Sequence, residues 1–111
     1  MSMPDAVAGV PAAAVPDGAF LLDVREPDEW EAGHVPGARH IPLGQLGARC
    51  AEIPTATEVY VICRSGVRSA QAAQALNGAG WQALNVDDGM RGWAVAGRPM
   101  TTDSGAQPFV A

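Results

Sequence analysis

The 111-residue chain contains no lysine: its seven basic residues are all arginine, against twelve acids. The resulting formal charge of −5 excludes broad binding to nucleic acid or to an anionic membrane surface, since both need a cationic face. No apolar run approaches the ~20 residues needed to cross a bilayer. Met1 to Val10 carries Asp5 and lacks the basic start of a secretory leader. Pro4, Pro11 and Pro16 break up the alanine-rich stretch around it, so a cytoplasmic location is expected. Soft ligands are scarce. Cys50, Cys63, His34 and His40 form no CxxC, HxxxH or HExxH spacing, so neither a disulfide framework nor a metal site is expected. Aromatics are 5% of residues, which leaves Ala, Val and Leu to build the core.

What is present suits one globular domain. Hydrophobic residues make up 48% and charged residues 17%, and a chain of this length buries roughly two-thirds of its unfolded surface. Three segments are expected: 1–9 as an N-terminal segment, 10–100 as the domain, and 101–111 as a flexible polar tail. Val10 to Ala14 reads as a helical turn, followed by the turn Pro16-Asp17-Gly18. Ala19 to Val24 reads as a buried strand. Pro27 to Glu31 is a short helix with Pro in its first turn and acids near its positive end, stopped by Gly33. Ala38 to Ile41 is a brief strand, and Leu43 to Glu52 a helix weakened by Gly44 and Gly47. Glu58 to Cys63, rich in β-branched residues, reads as a central parallel strand. Val67 to Asn77 is a helix with Val67, Ala70, Ala73 and Leu76 along one face, closed by Gly78 and Gly80. Trp81 to Val86 and Gly89 to Ala96 add a strand and a last helix. The alternation defines an α/β fold with a mostly parallel sheet. In such sheets the site lies at the carboxyl ends of the strands.

Cys63 stands at one of those ends. The run Cys63-Arg64-Ser65-Gly66-Val67-Arg68-Ser69 joins a buried strand to a helix start, whose free N–H groups and dipole favour anions. Gly66 permits the curl that turns successive N–H groups into a nest. Arg64 and Arg68 are the only charged residues between Val59 and Val86. A cysteine in such a field is expected to ionise readily and to hold an anionic substrate beside it. The plain alternative is a buried strand residue acting as a small hydrophobe. Cys50, with no such loop, reads as a partly buried bystander, although a regulatory disulfide with Cys63 stays open.

Four separated motifs then resemble the single-domain rhodaneses, thiosulfate-type sulfurtransferases. Leu22-Asp23-Val24-Arg25-Glu26 with Glu29-Trp30 is similar to the family's first strand and its exit. Gly33-His34-Val35-Pro36-Gly37-Ala38, with Ile41-Pro42 after it, is similar to the N-terminal signature. Cys63 to Ser69 resembles the active loop, and Asp88-Gly89-Met90-Arg91-Gly92-Trp93 with Ala96-Gly97 and Pro99 resembles the C-terminal signature. Asp88 departs from the family's usual glycine and is expected to cap the last helix.

The resemblance implies a rhodanese-like central sheet flanked by helices on both faces. It also implies transfer of a sulfane sulfur from a thiosulfate-like donor to cyanide or a thiol. Cys63 would be catalytic through a persulfide, with Arg64, Ser65, Gly66, Val67, Arg68 and Ser69 binding the substrate and no separate cofactor. The expected partners are a small anionic sulfur donor, a cyanide or thiol acceptor, and optionally a protein sulfur acceptor, with no nucleic acid or membrane.

Three other readings compete. A phosphatase or arsenate reductase of this fold separates Cys and Arg by five residues, whereas four lie between Cys63 and Arg68 here. A sulfur-relay module would use the same cysteine but pass its sulfur to a partner protein. A catalytically dead regulatory domain would commonly lack the cysteine. Among the remaining residues, Asp23 and Arg25 read as a buried charged pair, with Arg25 lining the pocket as the alternative. His34 reads as a structural turn residue bonded to backbone, and His40 as surface. Trp30, Trp81 and Trp93 read as packing anchors, and the acids Glu26 to Glu31 as a solvated helix face.

Overall fold

A computed structural model describes residues 7–111. Met1 to Ala6, including most of the expected N-terminal segment, lie outside the described residues. Five parallel strands form one sheet in the order β1-β5-β4-β2-β3. They are β1 (Gly9–Val10), β2 (Phe20–Asp23), β3 (Arg39–His40), β4 (Glu58–Ile62) and β5 (Gln82–Val86). Three α-helices lie between strands, α1 (Pro27–Ala32), α2 (Leu46–Arg49) and α3 (Val67–Gly78), and α4 (Gly89–Val95) follows the last strand.

Strand alternation divides the core into two layers. Val59, Val61 and Cys63 of β4 and its exit face Leu46, Ala72, Ala73 and Leu76 from α2 and α3. Tyr60 and Ile62 face the other way, onto Ala12, Met90 and Trp93. Helices therefore cover both faces, as expected for an α/β domain of this kind. Both central strands are buried on two sides, which is why they read as unbroken apolar runs.

Four local expectations need correction. Gly9–Val10 is a strand paired with Asn85 and Val86, and only Ala12–Ala14 makes the helical turn, as 3₁₀. The segment 43–52 is α-helical only at Leu46–Arg49, with 3₁₀ turns on either side. In α3 the buried face is Ser69, Ala72, Ala73 and Leu76, whereas Val67 is 66% exposed. The buried apolar face of the helix thus begins only at Ala72, with the small polar Ser69 buried ahead of it. The tail, finally, lies against the body. Thr101 bridges to His34, the Phe109 N–H donates to the Ala32 carbonyl at 3.0 Å, and Val110 packs on the second apolar layer.

The crevice between the carboxyl ends of β2 and β4 is where the chain's direction across the sheet reverses. Asp23 pairs with Ile62 across it, and the Val24 N–H donates to the Ile62 carbonyl at 3.1 Å. Immediately beyond, Asp23 and Arg25 make a fully buried ion pair at 2.8 Å. Arg25 also donates to the Gly33 carbonyl at 2.8 Å, tying β2 to the end of α1. With 0% exposure, Arg25 serves the fold as the buried partner of Asp23 and Gly33.

Candidate active site

β4 delivers Cys63 to this end of the sheet, where it is 1% exposed. The chain then turns through Gly66, whose φ of 101° only glycine adopts readily. A Cβ at Gly66 would overlap the Asp87 carbonyl, so the loop presses directly on the β5–α4 turn. The Cys63 sulfur accepts from the Gly66 N–H at 3.1 Å and lies 3.2 Å from the Ser69 hydroxyl. Burial is the largest influence on the thiol and pushes its pKa up. The Ser69 hydroxyl and the N–H groups of Ser69, Gly66 and Ser65 outweigh it, leaving the thiol below its ordinary value.

Both arginines have protein partners in the structure. Arg68 makes a two-pronged ion pair with Glu29 of α1, at 2.7 and 2.9 Å. That hydrogen-bonded pair is the main cause holding the Glu29 carboxyl to about 2; burial acts against it, and the Glu26 N–H adds to it. The pair also raises the Arg68 guanidinium above its usual range. Glu29 is therefore no solvated acid: its side chain is 14% exposed. Its orientation follows from the capping box of α1, in which the Glu26 N–H donates to the same carboxylate at 3.0 Å. Arg64 is exposed and donates through Nε to the Ala111 carbonyl at 2.8 Å. The acid-free window along the sequence is thus met in space by an acid 39 residues away.

Other positions hold the loop from behind. The Met90 and Arg91 N–H groups donate to the Cys63 and Arg64 carbonyls at 2.8 and 3.1 Å. Gly89, at φ 59°, allows this approach, since a Cβ there would lie 2.5 Å from both carbonyl oxygens. Asp88 precedes α4 but does not cap it with its side chain. Its carboxylate instead accepts from the Ala12 N–H at 2.7 Å. Asn85 of β5 bonds to Ser69 and Gly66. Gly89 was legible as a motif glycine, whereas Asn85 and Glu29 carried no local signal pointing to the loop.

His34 is structural, as expected: its Nδ1 bonds to the Trp30 carbonyl at 2.8 Å, and its ring stacks on Trp30 at 3.6 Å. His40, read as surface, is half-buried, stacks on the same Trp30 at 4.6 Å and bonds to the Arg25 carbonyl. Trp93 anchors α4, donating to the Pro99 carbonyl at 2.9 Å. Cys50 lies beside α2 with its thiol toward the Gly47 carbonyl, and both cysteines are free. Among the described residues no cluster of His, Cys, Asp or Glu could hold a metal ion.

A parallel α/β sheet that presents a buried thiol to the amides of Ser65, Gly66 and Ser69 is arranged to stabilise negative charge on sulfur. Comparison with known families matches residues 11–96 to the Rhodanese-like domain, and the chain belongs to that family. The family is of the sulfurtransferase type, and sulfur transfer is the general chemistry this membership supports.

Over 74 residues the chain is 46% identical to the Bacillus subtilis protein named "Putative sulfur carrier protein YrkF", covering 66% of this chain and 40% of that one. It is 49% identical to the uncharacterized Bacillus subtilis protein YqhL over 68% of this chain, and spans 60% of that relative's length. A sulfurtransferase of Allochromatium vinosum is 37% identical over 78% of this chain and 81% of its own. Thiosulfate sulfurtransferase from Pseudomonas aeruginosa superposes with a TM-score of 0.77 at 27% identity, covering 95% of this chain and 22% of that one.

Proposed function

We propose that the chain moves a sulfane sulfur from a thiosulfate-like donor to a thiophilic acceptor through a persulfide on Cys63. The observation that carries the reading is the Cys63 sulfur, buried at the end of β4 and cradled by loop amides. In the first half-reaction the Cys63 thiolate attacks the outer sulfur of the donor. A sulfur–sulfur bond forms, the bond to the sulfonate breaks, and sulfite leaves with its electron pair. Cys63 is left as a persulfide anion held by the N–H groups of the loop from Arg64 to Ser69. In the second half-reaction cyanide or a thiolate attacks the terminal sulfur and regenerates the Cys63 thiolate. Charge and electrons balance in both steps, and the sulfur is carried by the cysteine itself.

Arg64, at the exposed rim, receives the donor's sulfonate by exchanging its contact with the tail carbonyl. Arg68 contributes once the sulfonate competes with Glu29 for its guanidinium. The four-residue spacing between Cys63 and Arg68 supports a loop sized for one sulfur over one sized for a tetrahedral oxyanion.

A protein thiol as acceptor is the second reading. It is favoured by the exposure of Val67 beside the loop and by the sulfur-carrier name of the Bacillus subtilis relative. Two free cysteines suit a reducing compartment, which supports the cytoplasm as the location. Among the described residues no helix is long and apolar enough to cross a membrane.

Intact-mass analysis after incubation with thiosulfate tests the central step. The expected result is a gain of one sulfur atom, lost on adding cyanide and absent in Cys63→Ser. No gain in the wild-type chain, or an equal gain in Cys63→Ser, overturns the reading.

A further inference from the structure

The side chain of Asn85 plays no part in the sulfur chemistry described so far, yet it sits directly behind the reactive cysteine. It lies at the end of β5 and is 5% exposed, and its two amide atoms have different duties. Nδ2 donates to the Gly66 carbonyl at 3.1 Å and to the Asp87 carboxylate at 3.0 Å. Neither partner can donate in return, so the amide has only one consistent orientation. Its oxygen must then face the Ser69 hydroxyl, which it does at 2.5 Å.

Ser69 has one proton and two neighbours that can take it: the Asn85 oxygen and the Cys63 sulfur, 3.2 Å away. While Cys63 is a neutral thiol, every group is satisfied one way. The S–H donates to the Ser69 oxygen, and the Ser69 O–H donates to Asn85. When the sulfur is ionised it can only accept, and the hydroxyl must turn toward it. That turn leaves the Asn85 oxygen without its donor in a site closed to solvent.

We propose that Asn85 is a positioning residue that holds the Ser69 proton away from the resting thiol and yields it only while negative charge sits on the Cys63 sulfur. The hydroxyl thus follows the charge. It turns toward sulfur in the thiolate, and returns to Asn85 once the charge has moved to the outer sulfur of a persulfide. Asn85 thereby sets how much thiolate the free protein carries, trading resting reactivity against indiscriminate oxidation. The persulfide half of this statement rests on the function proposed above. The thiol–thiolate half does not.

The charged groups around this end of the sheet are Arg64 in the loop, Arg68 of α3 with Glu29 and Glu26 of α1, Asp87 after β5, Asp88 and Arg91 at the start of α4, and the Asp23–Arg25 pair beyond β2. None of them is substituted in the variants that follow, although Asp87 loses its Asn85 donor in Asn85→Leu.

The test is an ultraviolet titration of the Cys63 thiolate, checked by the pH dependence of alkylation, in the wild type, Ser69→Ala, Asn85→Leu and the double variant. Leucine keeps the branched outline of asparagine, in a larger volume and without its amide. Asn85→Leu is expected to carry about tenfold more thiolate on the rising limb of the titration, the factor that one buried hydrogen bond corresponds to. Adding Ser69→Ala to it should remove most of that gain. In the wild-type background, Ser69→Ala should lower the thiolate fraction clearly less than it does beside Asn85→Leu, because the hydroxyl gives up its Asn85 acceptor to reach the sulfur.

A merely structural role for Asn85 would not make the effect of Asn85→Leu depend on Ser69. The proposal is overturned if Asn85→Leu does not raise the thiolate fraction, or if Ser69→Ala acts equally in both backgrounds. Should Asn85→Leu fail to fold, Ser69→Ala alone decides: about a tenfold loss of thiolate shows the hydroxyl already committed to sulfur and refutes the arrangement. Failure of sulfur loading from thiosulfate, with the titration as expected, would count against the proposed function and not against this one.

Discussion

Replacing Glu29 by glutamine separates two roles of the Arg68 ion pair. Folding lowers the Glu29 carboxyl from 4.5 to about 2, chiefly through its hydrogen bonds with Arg68. At about 1.4 kcal/mol per unit that shift corresponds to about 3 kcal/mol in a site closed to water. A third of the Arg68 side chain remains exposed, and solvent screening there reduces the figure to about 1–2 kcal/mol. Because the folded carboxyl ionises more readily than the unfolded one, this stability is complete above pH 4.5 and is lost as pH falls toward 2. Denaturant unfolding of Glu29→Gln and the wild-type chain should therefore differ by about 1–2 kcal/mol at neutral pH and converge in acid.

The same change frees the Arg68 guanidinium for a sulfonate. The KM for thiosulfate should then fall by about fivefold to thirtyfold, the factor equivalent to that energy. A KM that stays put or rises refutes the exchange of Glu29 for donor. A stability difference that persists undiminished in acid refutes its electrostatic origin.

Three further outcomes follow from the same geometry. Gly89→Ala should cost about 2–4 kcal/mol, because its φ is positive and its new methyl meets the Cys63 and Arg64 carbonyls. The readout is a lowered Tm together with loss of sulfur loading; a variant that melts and loads like the wild type contradicts the contact. Arg25→Met leaves the fully buried Asp23 carboxylate without its cation and should destabilise the fold by about 3–5 kcal/mol, whereas Arg39→Met, on an exposed ion pair, should change it by less than about 1. Chemical denaturation of the two proteins side by side decides this. Leu22→Ala, at a fully buried site in β2, should cost about 2–5 kcal/mol without altering the Cys63 titration; a shifted titration would show the sheet and loop to be coupled more tightly than the contacts imply.

Most of the architecture was legible because its signals are local. The apolar run of β4, the turn at Gly66 and the helix that follows are encoded within 20 consecutive residues, 58–77, and the structure places each within a residue or two of expectation. Cys63 was legible for the same reason, as a thiol with its amide nest contained in one loop. What escaped was long-range pairing. Glu29 looks like any acid in a capping box, and only folding brings it to Arg68. Asn85 is 16 residues from Ser69 along the chain and sits in a strand whose apolar pattern hides it. The tail was misread because its polar composition says nothing about Phe109 and Val110 finding partners. Asp88 took a partner 76 residues away in preference to the helix start beside it.

The grip of α4 on the loop has a geometric corollary. A trans peptide holds its C=O and N–H on opposite edges of one rigid plane. The Cys63 and Arg64 carbonyls are both drawn toward the Met90 and Arg91 amides. The N–H edges of the next two residues, Arg64 and Ser65, must then face the opposite side, where the Ser65 N–H lowers the Cys63 thiol pKa. The last helix thus works as a jig: it never approaches the sulfur, yet it fixes the tilt of the planes that do. Trp93, donating to the Pro99 carbonyl at 2.9 Å, holds that jig against the rest of the domain.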